Sequence, residues 1–209
     1  MNSKKIQEKI RLHFPSQPTI GQDHLIKDVS EFVTTIGNRS VFMLKGYAGT
    51  GKTTLVSALV KSLPILGKRS VLMAPTGRAA KVLSKYSKKL ASTIHRKIYW
   101  IGTNKSGNTF IKLKENTHSN TIFIVDEASM IPESSDKGFG NRSLLEDLIK
   151  YVYSGIDCKL ILIGDKAQLP PVNIDISPAL NEEILYLNYN KQVISKELTE
   201  VVRQKKDSL

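Results

Sequence analysis

The 209 residues carry 31 Lys and Arg against 19 Asp and Glu, a formal net charge of +12, with 40% hydrophobic residues and a single cysteine, Cys158. That apolar content can bury one sizeable core but hardly two full domains, and a lone cysteine excludes an internal disulfide. No apolar run approaches a membrane span, and the charged opening MNSKKIQEKIRLHF lacks the apolar centre of a secretory signal, so the expectation is a soluble, cytoplasmic, monomeric protein with no membrane partner.

In chain order, Thr19 to Ile36 has helical periodicity, with Thr19 placed as an N-cap. VFMLKG (Val41 to Gly46) reads as a buried parallel strand, Lys52 to Leu66 as a helix, SVLMAP (Ser70 to Pro75) as a strand and Arg78 to Leu90 as a helix. Arg96 to Lys114 breaks this rhythm: two β-prone arms, KIYWI and TFIKL, flank a tip of Gly, Thr, Asn, Lys and Ser, which predicts an inserted β-hairpin. TIFIVD (Thr121 to Asp126) is the next strand, followed by a polar loop from Pro132 to Asn141 and a helix from Arg142 to Tyr153. KLILIG (Lys159 to Gly164) and ILYLN (Ile184 to Asn188) are read as the last strands. The alternation predicts an α/β three-layer domain with a mostly parallel sheet.

The excess charge is confined to one interval. Lys61 to Lys114 holds 13 Lys or Arg and no Asp or Glu, where even scattering would put about five acids, and such a segment suits a polyanion, nucleic acid foremost. A merely solvated basic face is the plainer alternative.

GYAGTGKTT, Gly46 to Thr54, follows a predicted strand and opens a predicted helix, the context a P-loop needs. Gly46, Gly49 and Gly51, with Ala48 and Thr50 between them, let backbone amides turn toward phosphate oxygens at a helix N-terminus. Lys52 is placed to reach the β- and γ-phosphates, Thr53 to ligate Mg²⁺ and Thr54 to complete the nucleotide site. Asp126 and Glu127, at the carboxyl end of a buried strand, can serve as metal ligand and water-orienting base; alone an acidic pair capping the next helix is the better reading, but following a P-loop at this distance they predict a hydrolytic site. A second carboxylate beside the metal ligand favours water as nucleophile, hence an ATPase over a kinase, and no Asn-Lys-x-Asp guanine reader is present. Asp165 and Gln168, in GDKAQLPPV, come to the same sheet edge, where Gln168 could touch the γ-phosphate.

GYAGTGKTT, APTGRAA, STIH, VDEASM, GDKAQLPPV and LTEVVRQ occur in the order and approximate spacing of superfamily 1 helicases, and the chain most resembles the RecD/Dda-like group that moves 5′ to 3′ along DNA. The resemblance implies a RecA-like P-loop NTPase domain, with ATP and Mg²⁺ bound, over residues 1–95 and 120–197, and a pin or wedge hairpin over 96–119. It makes Gln168 a γ-phosphate sensor and Gln22 an adenine reader. It assigns Thr76, Gly77, Arg78, Thr93 and His95 to single-stranded DNA, although a packed structural histidine is an equal reading of His95. It makes Tyr99, Trp100 and Phe110 candidates for stacking at a duplex fork, with plain packing as the alternative for two of the three. Arg203 would reach the γ-phosphate from a second RecA-like domain that begins in 198–209 and is otherwise absent from these residues, so the expected activity of this chain alone is weak. A translocase without strand separation and a non-catalytic ATP-binding module stay open as alternatives.

Overall fold

The computed structural model describes residues 3–37, 39–103, 107, 109–132, 143–165 and 177–202. Gln168, Arg203 and most of the predicted loop at Pro132 to Asn141 lie outside the described residues.

Helices α1 (Ser3–Leu12) and α2 (Ile20–Thr34) precede strand β1 (Ser40–Gly46). Thr19 caps α2 as expected: its hydroxyl accepts from the Gln22 N–H while the Gln22 side chain accepts from the Thr19 N–H, a reciprocal capping box. Then come α3 (Lys52–Ser62), which tightens into a 3₁₀ turn through Leu66, β2 (Arg69–Ala74), α4 (Gly77–Ser87), β3 (Ala91–Thr93) and α5 (Ile94–Ile98). The hairpin is β4 (Tyr99–Thr103) with β5 (Thr109–Leu113), antiparallel, as predicted from its two arms. Its first arm begins two residues later than KIYWI suggests, because Lys97 and Ile98 close α5. The chain continues through β6 (Thr121–Val125), α6 (Leu144–Ser154), β7 (Lys159–Gly164), α7 (Glu182–Tyr189) and β8 (Gln192–Leu198).

The six-stranded sheet has the order β3-β2-β6-β7-β1-β8, and every pairing within it is parallel. Its central strands are buried on both faces, so alternate residues feed two cores. Phe42, Leu44, Leu72, Ile122, Ile124, Ile161 and Ile163 pack with α1 to α4. Val41, Met43, Met73, Phe123, Val125, Leu160 and Leu162 pack with α5, α6, α7 and the hairpin root.

The segment ILYLN is a correction: it is helix, not strand. Asn181 accepts from the N–H groups of Glu183 and Ile184, Glu182 and Glu183 fill the first turn, and Asn190 closes the helix in the left-handed region. A short apolar run has no decisive period, and here the caps decide it. The missing strand is β8, a half-exposed edge whose polar residues hid it; Lys196 in it pairs with Asp28 of α2 at 2.9 Å.

Candidate nucleotide and nucleic-acid site

Parallel strands end together, so β1, β6 and β7 bring their following residues to one edge. The loop after β1 enters α3 through Gly51, whose φ of +92° suits only glycine. A Cβ on Gly51 would also collide with the Gln22 amide nitrogen. That nitrogen donates to the Thr50 carbonyl at 3.1 Å, and Gln22 is 6% exposed, so α2 grips the P-loop from behind. The Thr50 hydroxyl bonds the Tyr47 carbonyl at 2.9 Å.

Lys52 Nζ donates to the carbonyls of Gly46 at 2.6 Å and Tyr47 at 2.8 Å, and lies 3.9 Å from the Asp165 carboxylate. Asp126 continues the β6–β2 ladder through its N–H to the Met73 carbonyl, and its carboxylate accepts from the Glu127 N–H at 3.0 Å. Burial, with Glu127 beside it, pushes the Asp126 pKa up to about 6. Glu127 sits in the left-handed region at φ +56°, a conformation costing a non-glycine residue about 1 kcal/mol and one that turns the chain sharply at the strand end.

These groups share a cavity of about 550 Å³, lined by the P-loop, Gln22, Asp126, Glu127, Asp165 and Val202. The structure thus gathers Gln22, Ala48, Gly49, Thr50, Gly51, Lys52, Thr53, Thr54, Asp126 and Glu127 around one space. Asp165, placed at this edge from the sequence but given no role there, joins them as the neighbour of Lys52. A buried carboxylate whose charge is disfavoured and a hydroxyl at the start of α3 fit a hard divalent cation, which would offset the desolvation that raises Asp126.

Along the same edge, β2 and β3 end in paired register at Ala74 and Thr93. Both candidate threonines are helix N-caps: Thr76 accepts from the Ala79 N–H and Thr93 from the Arg96 N–H, each at 3.2 Å. Each keeps its hydroxyl proton to donate. Gly77 and Arg78 are exposed beside them, whereas His95 is half-buried, its ring centroid 5.9 Å from that of Tyr99.

Tyr99 is a second correction. It is 5% exposed and its hydroxyl donates to Asp147 at 2.8 Å, so it fastens the hairpin to α6 and presents no face to a base. Trp100 and Phe110 are 64% and 48% exposed. Phe110 lies across its strand partner Gly102, where a Cβ would come within 2.6 Å of the ring.

Residues 27–209 match the family described as AAA domain. The chain belongs to that family. Relatives of this AAA domain include the ATP-dependent RecD2 DNA helicase of Deinococcus radiodurans, 30% identical over 156 residues, which covers 75% of this chain and 20% of the relative. The ATP-dependent DNA helicase dda of Enterobacteria phage T4 is 33% identical over 164 residues, covering 77% of this chain and 34% of the relative. In fold, the domain is similar to the Pif1 helicase from Bacteroides in complex with ADP-AlF3 and ssDNA, with a TM-score of 0.53 at 20% identity over 91% of this chain and 44% of that one. The chain is thus an AAA domain with a P-loop, similar in sequence to the RecD2 and dda helicases and in fold to Pif1. The chain spans 20% and 34% of the length of these two curated relatives. Among the described residues, no helix is long and apolar enough to cross a membrane.

Proposed function

We propose that this chain is the N-terminal RecA-like motor domain of an ATP-dependent DNA helicase that moves 5′ to 3′ along single-stranded DNA. Residues 1–95 and 120–197 form the ATPase domain in this reading, 96–119 the strand-separating hairpin and 198–209 the start of a second RecA-like domain. The observation that carries it is the convergence of Lys52, Asp126, Glu127 and Asp165 on one cavity, supported by relatives that are themselves DNA helicases.

The P-loop amides and Lys52 hold the β- and γ-phosphates of ATP. Lys52 exchanges its carbonyl partners at Gly46 and Tyr47 for phosphate oxygens, while Gln22 keeps the loop from shifting. Thr53 and Asp126 would hold Mg²⁺, which when bound would supply charge neutralisation at the phosphates. Glu127 aligns the attacking water and takes its proton. Gln168 reports the γ-phosphate, and Arg203 stabilises the transition state once the second domain holds it. Such an arginine is worth ~10³–10⁵ in rate. Thr76, Gly77, Arg78, Thr93 and His95 hold the phosphates of the tracked strand.

The test is ATP hydrolysis and unwinding of 5′-tailed duplexes by a two-domain form. Lys52→Ala should abolish nucleotide binding, and Glu127→Gln should retain binding while losing turnover. Normal turnover by Glu127→Gln would refute the base assignment.

A further inference from the structure

A second cavity, of about 660 Å³, lies at the root of the hairpin and is lined by Arg96, Lys97, Trp100, Lys112, Lys114 and His118 among others. It is separate from the sheet-edge site. The N-cap of α5, Thr93, faces the carboxyl edge, whereas Arg96 and Lys97 in the same short helix line this groove, which runs on past His118 toward Tyr151. Its cations are crowded. Lys97 Nζ lies 2.8 Å from His118 Nε2, an arrangement that requires the imidazole to accept and so to be neutral. Lys114 Nζ sits 4.7 Å from the centre of the Trp100 ring, and Trp100 and Lys112 are cross-strand partners on one face of the hairpin.

Glu115 lines the cavity too, but among the described residues none of Arg96, Lys97, Lys112 and Lys114 makes an ion pair. Burial and neighbouring cations hold Lys97 and His118 below their ordinary pKa values. Four cations gathered around a single lining carboxylate, with no ion pair among them, stay repulsive until an anion arrives, and an exposed indole among them suits an unpaired base.

We propose that this groove binds the phosphodiester backbone of a second nucleic-acid strand, the one displaced at the fork, with Trp100 stacking on an unpaired base. The inference rests on the strand-separating reading of the hairpin. The tracked strand takes the sheet edge at Thr76, Arg78 and Thr93, and the hairpin root offers the displaced strand its own phosphate contacts.

Trp100 is the only tryptophan in the chain, so intrinsic fluorescence reports occupancy of this groove directly. The 209-residue protein is titrated with a fork carrying two single-stranded arms, with the same duplex carrying only the 5′ arm, and with oligothymidine. The expected result is strong quenching by the two-armed fork alone and an affinity for it several-fold above that of the one-armed duplex. Lys112→Glu with Lys114→Glu, the first exposed on β5 and the second half-buried just after it, should erase that preference, leave oligothymidine binding within twofold, and flatten the salt dependence for the two-armed fork by about 0.7 per lost phosphate contact. Arg78→Ala should weaken all three substrates. Equal weakening of all substrates by the lysine pair, or no change in any, would overturn the second-strand site while leaving the helicase reading in place. Quenching by the one-armed duplex equal to that by the two-armed fork would assign the groove to duplex instead. If no substrate binds and Arg78→Ala changes nothing, the helicase reading itself fails.

Discussion

The backbone N–H of Val202 donates to the Gly49 carbonyl at 3.0 Å, which ties the strand leaving β8 to the tip of the P-loop. The bond fixes the peptide plane between Gly49 and Thr50, whose N–H donates to the Tyr47 carbonyl at 3.4 Å, and so helps set the curl of the P-loop. Val202→Pro deletes the donor. A neutral hydrogen bond contributes about 0.5–1.5 kcal/mol, so ATP–Mg²⁺ affinity, measured by calorimetry, should fall by roughly 2- to 10-fold. Val202→Ala keeps the N–H and should bind normally. Equal affinity in the proline variant would separate this contact from nucleotide binding.

Gln22 can be asked which of two roles it fills. The structure has its amide on the Thr50 carbonyl and its oxygen on the Thr19 N–H. Gln22→Ala should lower stability by about 1–3 kcal/mol, through the lost box and the orphaned buried carbonyl, and should weaken ATP and GTP by the same factor. A drop confined to ATP would identify Gln22 as a base reader rather than a brace for the loop.

Tyr99→Phe tests the hairpin's attachment. The substitution removes the hydroxyl donor to buried Asp147, so unfolding free energy in urea should drop by about 1–3 kcal/mol. Affinity for single-stranded DNA should be unaltered, because the ring faces the core. Reduced DNA binding with unchanged stability would restore Tyr99 as a contact residue.

Lys159 gives the fold a pH signature. It is 3% exposed at the start of β7, its ammonium donating to the Phe32 carbonyl in the last turn of α2 at 2.7 Å, and burial pushes its pKa down to about 8. An unfolded lysine titrates near 10.4, so between about pH 8 and 10.4 the unfolded chain binds more protons than the folded one. Stability from this group therefore rises with pH across that window, on the order of 3 kcal/mol in all, and below pH 8 the full burial cost applies. Tyr153, raised above its ordinary value by burial, opposes the trend only once unfolded tyrosines ionise near pH 10. Urea denaturation at pH 7.5, 8.5 and 9.5 should show a steeper rise for wild type than for Lys159→Met; parallel curves would contradict the assignment.

The P-loop, the Asp126–Glu127 pair and the central strands were legible in the sequence because each depends on local order: an apolar run, then glycines or carboxylates within a few residues. Thr19 was legible for the same reason, as its cap bonds close within one turn. The helix at 182–189 was misread because a five-residue apolar run fits either period, and its deciding bonds come from Asn181 just outside it.

What only the tertiary structure decided are relationships between residues far apart in the chain. Gln22 reaches Thr50 because α2 packs behind β1, Lys52 meets Asp165 because β1 and β7 are register partners, and Tyr99 turns inward because α6 supplies Asp147. The grouping of Lys97, Lys112 and Lys114 with His118 is of the same kind. The sequence by itself determined that the segment was basic and free of acids; which of its cations share a groove depends on how the hairpin folds back onto α5, a long-range packing choice that no local pattern encodes.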